Sequence, residues 1–100
     1  KLKKAADFIV QHYTESLHLE DICAASGLSP SYLIRAFKQQ YGMTPHAYLL
    51  NRRILFAQHQ LKKRLPIVDV ALAAGFSDQP HFQRVFKRIV AATPHQYSAD

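Results

Sequence analysis

LEDICAASGLSPSYLIRAFKQQYGMTPHAY, residues 19–48, occurs a second time in this chain as IVDVALAAGFSDQPHFQRVFKRIVAATPHQY, residues 67–97. With one residue inserted after the shared Gly-x-Ser, the copies are identical at eleven positions: Asp21/Asp69, Ala25/Ala73, Gly27/Gly75, Ser29/Ser77, Arg35/Arg84, Phe37/Phe86, Lys38/Lys87, Thr44/Thr93, Pro45/Pro94, His46/His95 and Tyr48/Tyr97. A repeat of this length predicts that each copy is one supersecondary unit. Each copy has the pattern of a short helix, a turn with glycine and a basic helix.

The overall composition is typical of one small basic domain. At 100 residues, of which 48% are hydrophobic, the chain can form a core without disulfides. Its 13 Lys and Arg against 7 Asp and Glu give a net charge of +6, and residues 31–66 contain no acidic side chain. This charge favours a nucleic-acid partner. Because there is a single cysteine, and no signal-peptide or membrane-span pattern, we expect a cytoplasmic protein without a membrane partner.

Apolar residues recur at helical spacing along nearly the whole chain, and no run alternates as a β-strand would. The sequence therefore predicts an all-α fold with about seven helices. In the first copy, Gly27 is expected to end the second helix and Ser29 to cap the third. In the second copy, Ser77 or Asp78 caps the sixth. A long fourth helix starts at Thr44-Pro45 and carries apolar residues at Leu50, Ile54, Ala57 and Leu61.

The repeat predicts two helix-turn-helix units in one domain. In this motif the second helix lies in the DNA major groove and the first supports it. We expect a single domain over residues 1–100, with a first helix-turn-helix at about 1–43, a linker helix at about 44–63 and a second helix-turn-helix at about 64–100. At about 1.5 Å per residue the linker helix is near 28 Å long, close to the roughly 34 Å between successive major-groove segments. One chain could therefore place both recognition helices on one duplex.

Each predicted recognition helix has an apolar face for the core and another for DNA. The expected core residues are Leu33, Ala36, Phe37 and Tyr41 in the first copy and Phe82, Val85, Phe86 and Ile89 in the second. Arg can bind guanine and Gln adenine through paired hydrogen bonds, while an apolar side chain such as Ile34 suits a thymine methyl group. The predicted base contacts are Ser31, Ile34, Arg35, Gln79, Pro80, Gln83 and Arg84. The predicted DNA backbone contacts are Tyr32, Lys38, Gln39, His81, Lys87 and Arg88.

Three stretches of the sequence carry a resemblance to a known family. They are Gly-x-Ser-x-x-x-Leu-x-Arg-x-Phe-Lys at residues 27–38, the linker residues Tyr48-Leu49, Arg53-Ile54, Ala57 and Leu61, and the second copy from Gly-Phe-Ser-Asp-Gln at residues 75–79 to Thr-Pro and Tyr97. On these motifs the chain resembles, over essentially its whole length, the DNA-binding domain of AraC/XylS-type bacterial transcription regulators.

This resemblance implies a seven-helix domain that binds asymmetric promoter sites and usually activates transcription. Double-stranded DNA and RNA polymerase would be its partners, in a bacterial cytoplasm and associated with the nucleoid. Dimerisation and ligand sensing would belong to another domain before Lys1, so the chain is expected to be a fragment. Two residues depart from the family pattern. Ala91 stands where Gly is usual, so that helix end is expected to be strained or differently capped, and Pro80 replaces a small polar residue.

Other kinds of site have weaker support. No Ser/His/Asp set, acid pair, phosphate-binding glycine loop or metal-ligand spacing is visible in the sequence, so we expect no enzyme, cofactor or metal. The basic run at residues 62–64 fits a favourable helix C-terminus or phosphate contact. His81 fits DNA contact or simple exposure, and His95 a surface position. The alternative function is a helical protein-interaction module that contacts the transcription machinery without its own sequence readout.

Overall fold

The computed structural model describes residues 1–99, which form seven α-helices and contain no β-strand. The helices are α1 (Leu2–His12), α2 (Leu19–Ser26), α3 (Pro30–Tyr41), α4 (Pro45–Lys62), α5 (Ile67–Ala73), α6 (Gln79–Val90) and α7 (Pro94–Ala99). The predicted all-α fold with seven helices is confirmed. Asp100, the last residue of the predicted second helix-turn-helix, lies outside the described residues.

Side-chain caps fix where the two recognition-type helices begin. Ser29 Oγ accepts a hydrogen bond from the backbone N–H of Tyr32 at 3.4 Å, and Asp78 Oδ1 accepts one from the backbone N–H of His81 at 2.7 Å. Such a cap satisfies one of the N–H groups that the first helical turn leaves unpaired. Of the two caps predicted for α6, the structure therefore selects Asp78. Pro30 and Pro80 occupy the first turn, where a missing N–H is tolerated.

The ends of α3 and α6 have the same backbone geometry although their residues differ. Gly42 closes α3 at φ 79°, and its N–H donates to the Lys38 carbonyl at 2.9 Å. Ala91 closes α6 at φ 67°, and its N–H donates to the Lys87 carbonyl at 2.9 Å. Left-handed backbone is unfavourable for any residue with a Cβ. Alanine in place of the usual glycine at residue 91 therefore adds backbone strain at the end of α6. The hydrogen bond that caps the helix is the same as in α3.

Relief of this strain should make the domain more stable. We expect Ala91→Gly to raise the free energy of unfolding by about 1 kcal/mol, because glycine adopts positive φ without the Cβ clash. Chemical denaturation followed by circular dichroism measures this change. Ala25→Gly is the matched control, since Ala25 is an exposed residue within α2 and glycine there should destabilise by a similar amount. Destabilisation by both variants would contradict the assignment of strain to Ala91.

The N-terminal compact unit, Lys1–Leu50, packs α1, α2, α3 and the start of α4 around one apolar cluster. Its fully buried side chains include Ile9, Leu33 and Phe37. The rings of Tyr41 and Tyr48 lie against that of Phe37, with centroid distances of 4.5 and 5.4 Å. Burial of two large side chains one turn apart holds the inner face of α3 in the core. Its outer face is thereby fixed towards solvent.

The C-terminal compact unit begins at Asn51, inside α4. Four aromatic rings line its interior in succession, with centroid distances of 5.3, 5.6 and 5.6 Å: Phe76, Phe82, Phe86 and Tyr97. The second half of α4 contributes buried aliphatic residues, namely Ile54, Ala57 and Leu61. Aromatic pairs in tilted or edge-to-face contact stabilise a core beyond their buried area. This unit therefore holds the inner face of α6 in its core.

One predicted core residue of α6 lies at the surface instead. Phe82, Val85 and Phe86 are buried as predicted, but Ile89 is exposed over 37% of its surface. Ile89 has the right angle around the helix axis but lies in the last turn of α6, just before the left-handed Ala91. Periodicity gives the angle of a side chain and not whether a neighbouring element covers that turn. The prediction for Ile89 was therefore wrong.

Candidate nucleic-acid interface

The outer face of α3 is open to solvent along its whole length. All six residues predicted to contact DNA from this helix are exposed: Ser31, Tyr32, Ile34, Arg35, Lys38 and Gln39. Ile34 keeps 41% of its surface accessible and Tyr32 47%, although large apolar and aromatic side chains usually lie inside. The structure thus brings these residues together on one accessible face, with two large side chains available to a partner.

The outer face of α6 is also exposed, with two exceptions. Pro80, Gln83, Arg84, Lys87 and Arg88 are exposed, whereas Gln79 and His81 are half-buried. The His81 ring lies edge-on to the Phe76 ring, with centroids 5.3 Å apart. His81 is therefore partly tied to the aromatic core, which the sequence pattern alone did not reveal.

The cations on these two faces are not neutralised within the described chain. Lys3 pairs with Asp7 and His12 with Glu15, both within or next to α1, and no ion pair within residues 1–99 involves the exposed cations of α3 and α6. Arg35, Lys38, Arg84 and Lys87 thus have no acidic partner there. Unpaired exposed cations create a positive surface potential that attracts phosphate groups. Both faces are consequently suited to a polyanion.

A surface groove of about 670 Å³ adjoins α6 within the C-terminal unit. Its polar lining residues are Arg64, Gln79, Gln83, His95 and Ser98, and no acidic side chain of residues 1–99 borders it. Three of these, Arg64, His95 and Ser98, were missing from the predicted contacts. The basic run at residues 62–64 was a partial signal for Arg64, whereas only the tertiary fold brings His95 beside α6.

Neighbouring basic residues near the end of α4 have different environments. Lys62 Nζ lies 4.4 Å from the centroid of the Tyr97 ring, so its charge faces an aromatic surface. Arg64 has a left-handed backbone at φ 62° and lines the groove. Of these two residues, therefore, Lys62 is held by an aromatic contact and Arg64 lines the groove.

Arg53 belongs to the core of the C-terminal unit. It is only 8% exposed, and its guanidinium carbon lies 5.5 Å from the centroid of the Phe76 ring. Burial lowers the pKa of the Arg53 guanidinium, because a low-dielectric environment disfavours the charged form. This residue therefore packs inside the C-terminal unit against Phe76 and is not part of an exposed face.

Residues 1–99 contain no group of three or more His, Cys, Asp or Glu side chains that could hold a metal ion. In the same part of the chain, no helix is long and apolar enough to cross a membrane. Cys23 is half-buried against the apolar cluster of the N-terminal unit.

Two short-helix, turn and basic-helix units place this chain in the helix-turn-helix class of proteins. The family model described as a helix-turn-helix domain matches residues 22–100. A crystal structure of a transcriptional regulator from Chromobacterium violaceum, one of the AraC-type DNA-binding domain-containing proteins, has a TM-score of 0.88 and 33% identity, covering 98% of this chain and 88% of that one. The chain belongs to the AraC-type helix-turn-helix family.

Two further relatives carry information about function. The DNA-binding domain of AdpA, a global transcriptional factor solved in complex with a target DNA, has a TM-score of 0.91 and 25% identity, covering 98% of this chain and 89% of that one. The virulence regulon transcriptional activator VirF of Yersinia enterocolitica is 34% identical over 91 residues, which are 89% of this chain and 33% of VirF. The chain spans about a third of the length of the curated relatives that it matches.

Proposed function

We propose that this chain is the DNA-binding domain of a bacterial transcription regulator and that it binds double-stranded DNA sequence-specifically at promoters. The observation that carries the proposal is the pair of exposed, unpaired cations at the same repeat positions of α3 and α6, Arg35 with Lys38 and Arg84 with Lys87. In each pair the two side chains lie three residues apart, so they share one face of a capped, core-anchored helix. The AdpA complex with its target DNA supports the same class of ligand.

The two faces divide into residues suited to bases and residues suited to phosphate. We assign base contacts to Ser31, Ile34, Arg35, Gln79, Pro80, Gln83 and Arg84. We assign DNA backbone contacts to Tyr32, Lys38, Gln39, His81, Lys87 and Arg88. Arg offers a planar fork of donors for a guanine edge, whereas Lys is a point charge suited to phosphate. Exposure supports most of these assignments, and half-burial of Gln79 and His81 limits the reach of those two side chains.

Both copies of the repeat act on one duplex in this proposal. The first helix-turn-helix, at about 1–43, and the second, at about 64–100, each present one recognition helix to a major-groove segment. The linker helix, at about 44–63, corresponds to α4 (Pro45–Lys62). Outer positions of the two recognition helices differ, with Ser31 against Pro80 and Ile34 against Gln83. Each copy would therefore select different bases, which suits an asymmetric site.

The complete regulator extends beyond this domain in the proposal, because the chain spans only about a third of its curated relatives. We propose that it activates transcription, as the name of VirF indicates for that protein, and that it contacts RNA polymerase. Dimerisation, where it occurs, would use a preceding domain. The regulator would act without enzymatic activity, in the cytoplasm and on the nucleoid.

Salt titration tests the proposal against a protein-interaction role. We expect the logarithm of the affinity for duplex DNA to fall with the logarithm of salt concentration at a slope of about −3 to −4, because each neutralised phosphate contributes about −0.9. The cations responsible would be Lys38, Lys87 and Arg88, together with Arg64 in the groove. Fluorescence anisotropy of a labelled duplex measures the slope. Duplex binding that is absent, or indifferent to salt, would rule the function out.

A further inference from the structure

Tyr32 and Arg35 are in direct contact on the exposed face of α3. The guanidinium carbon of Arg35 lies 5.6 Å from the centroid of the Tyr32 ring, within the range of an attractive cation–π contact. The backbone of Tyr32 is itself held by the N-cap, because its N–H donates to Ser29 Oγ. With 47% of its surface accessible, the ring has no role in filling the core. The ring instead contacts Arg35, the arginine of α3 that is assigned to base contact.

The second copy lacks this arrangement at the same repeat positions. His81 replaces Tyr32, and its backbone N–H donates to the cap residue Asp78 in the same way. Its ring, however, lies against Phe76. Among residues 1–99, no aromatic ring is found over the guanidinium of Arg84. Two arginines at equivalent positions therefore have different side-chain support.

We propose that Tyr32 is a positioning residue that pre-orients Arg35 for its base, and that the first copy is consequently more selective at that base than an unsupported arginine would be. This inference rests on the proposed function. Tyr32 would thus have a second role besides its contact with the DNA backbone. The two copies would differ, because Arg35 has an aromatic ring to orient it and Arg84 does not.

Stacking can orient Arg35 without blocking it. A cation–π contact uses the face of the guanidinium, while its N–H donors point outward in the plane of the group. The edge that binds guanine O6 and N7 therefore remains available. A long side chain that is already restrained loses less conformational entropy when it binds. The benefit falls on the correct base pair only, because a mismatched base cannot use the pre-oriented donors.

The test compares base discrimination in Tyr32 and Arg35 variants. The base pair read by Arg35 is the one whose replacement no longer matters in Arg35→Ala. We expect Tyr32→Ala to lower discrimination at that base pair by about two- to fivefold, the factor expected for an exposed cation–π contact, and to leave other positions unchanged. Tyr32→Phe should retain the discrimination, since it keeps the ring. In the Arg35→Ala background, Tyr32→Ala should have no further effect on discrimination.

The matched comparison is His81→Ala: because the His81 ring lies on Phe76 and not on Arg84, this variant should lower affinity by one common factor for all sequences, whichever base pair Arg84 reads. Equal losses in Tyr32→Phe and Tyr32→Ala would assign the effect to the phenolic hydroxyl and overturn the inference. So would a uniform loss of affinity across all sequences in Tyr32→Ala, which would mark Tyr32 as a backbone contact only. A normal Arg35→Ala effect beside an inert Tyr32→Ala would refute the inference alone. A wild-type chain without any base preference would refute the proposed function as well.

Discussion

Arg35→Ala and Arg84→Ala should each weaken binding to the specific site by about 5- to 150-fold, which corresponds to the 1–3 kcal/mol that a paired arginine–guanine contact contributes. Binding to random duplex should fall by a much smaller factor, because the arginine seldom meets its preferred base there. Both arginines are exposed on the outer face of a core-anchored helix and have no acidic partner within residues 1–99. Truncation should therefore leave the fold intact.

Matched lysines provide the control for this prediction. Lys38 and Lys87 lie three residues beyond the two arginines on the same faces. Lys38→Ala and Lys87→Ala should weaken specific and random binding by similar factors, and each should reduce the salt slope by about 1. Titrations of both DNA types with all four variants separate the roles. If the arginine variants kept the wild-type ratio of specific to random affinity, α3 and α6 would not be the recognition helices.

An insertion of two alanines between Leu50 and Asn51 should abolish binding to the complete site. The boundary between the two compact units lies at this point within α4. The insertion therefore does not separate α4 residues that belong to the same unit. Two added residues rotate the C-terminal unit by about 200° around the helix axis and shift it by about 3 Å. If both copies must face one duplex, this phase change prevents simultaneous binding.

The loss should be confined to sites that contain both half-sites. A duplex with the half-site of one copy only should bind the insertion variant and the wild type equally, and thermal unfolding of both should be similar. Footprinting on the complete site detects the change. An unchanged footprint over two groove turns would mean that the two copies do not depend on the phase of α4.

Much of the fold could be predicted because short-range rules determine it. Left-handed glycines end α2 and α3, and a serine or aspartate cap starts α3 and α6, so the sequence signals mark real boundaries. The error at Ile89 has a physical cause. Helical periodicity reports direction around an axis, while burial depends on whether another element covers that turn. Even the choice between Ser77 and Asp78 as the α6 cap depended on backbone geometry that the pattern leaves open.

The exposed face of α3 could be predicted residue by residue, because every member lies on one helix. Long-range features could not. The contact between His81 and Phe76 and the groove that joins Arg64 and His95 to α6 arise only when separate elements pack together. The stacking of Arg35 on Tyr32 could be predicted only in part. The spacing of three residues permits it, but many other rotamers are compatible with the same spacing.

Selection of bound sequences from random duplex DNA is the strictest test of whether one chain reads DNA with two helices. We expect an enriched site with two different blocks whose centres are about 10 base pairs apart, since that is one helical turn. With Arg84→Ala, the base preference in one of these blocks should be lost, while that in the other block should remain. No enrichment, or a single block that responds equally to Arg35→Ala and Arg84→Ala, would contradict recognition by two helices.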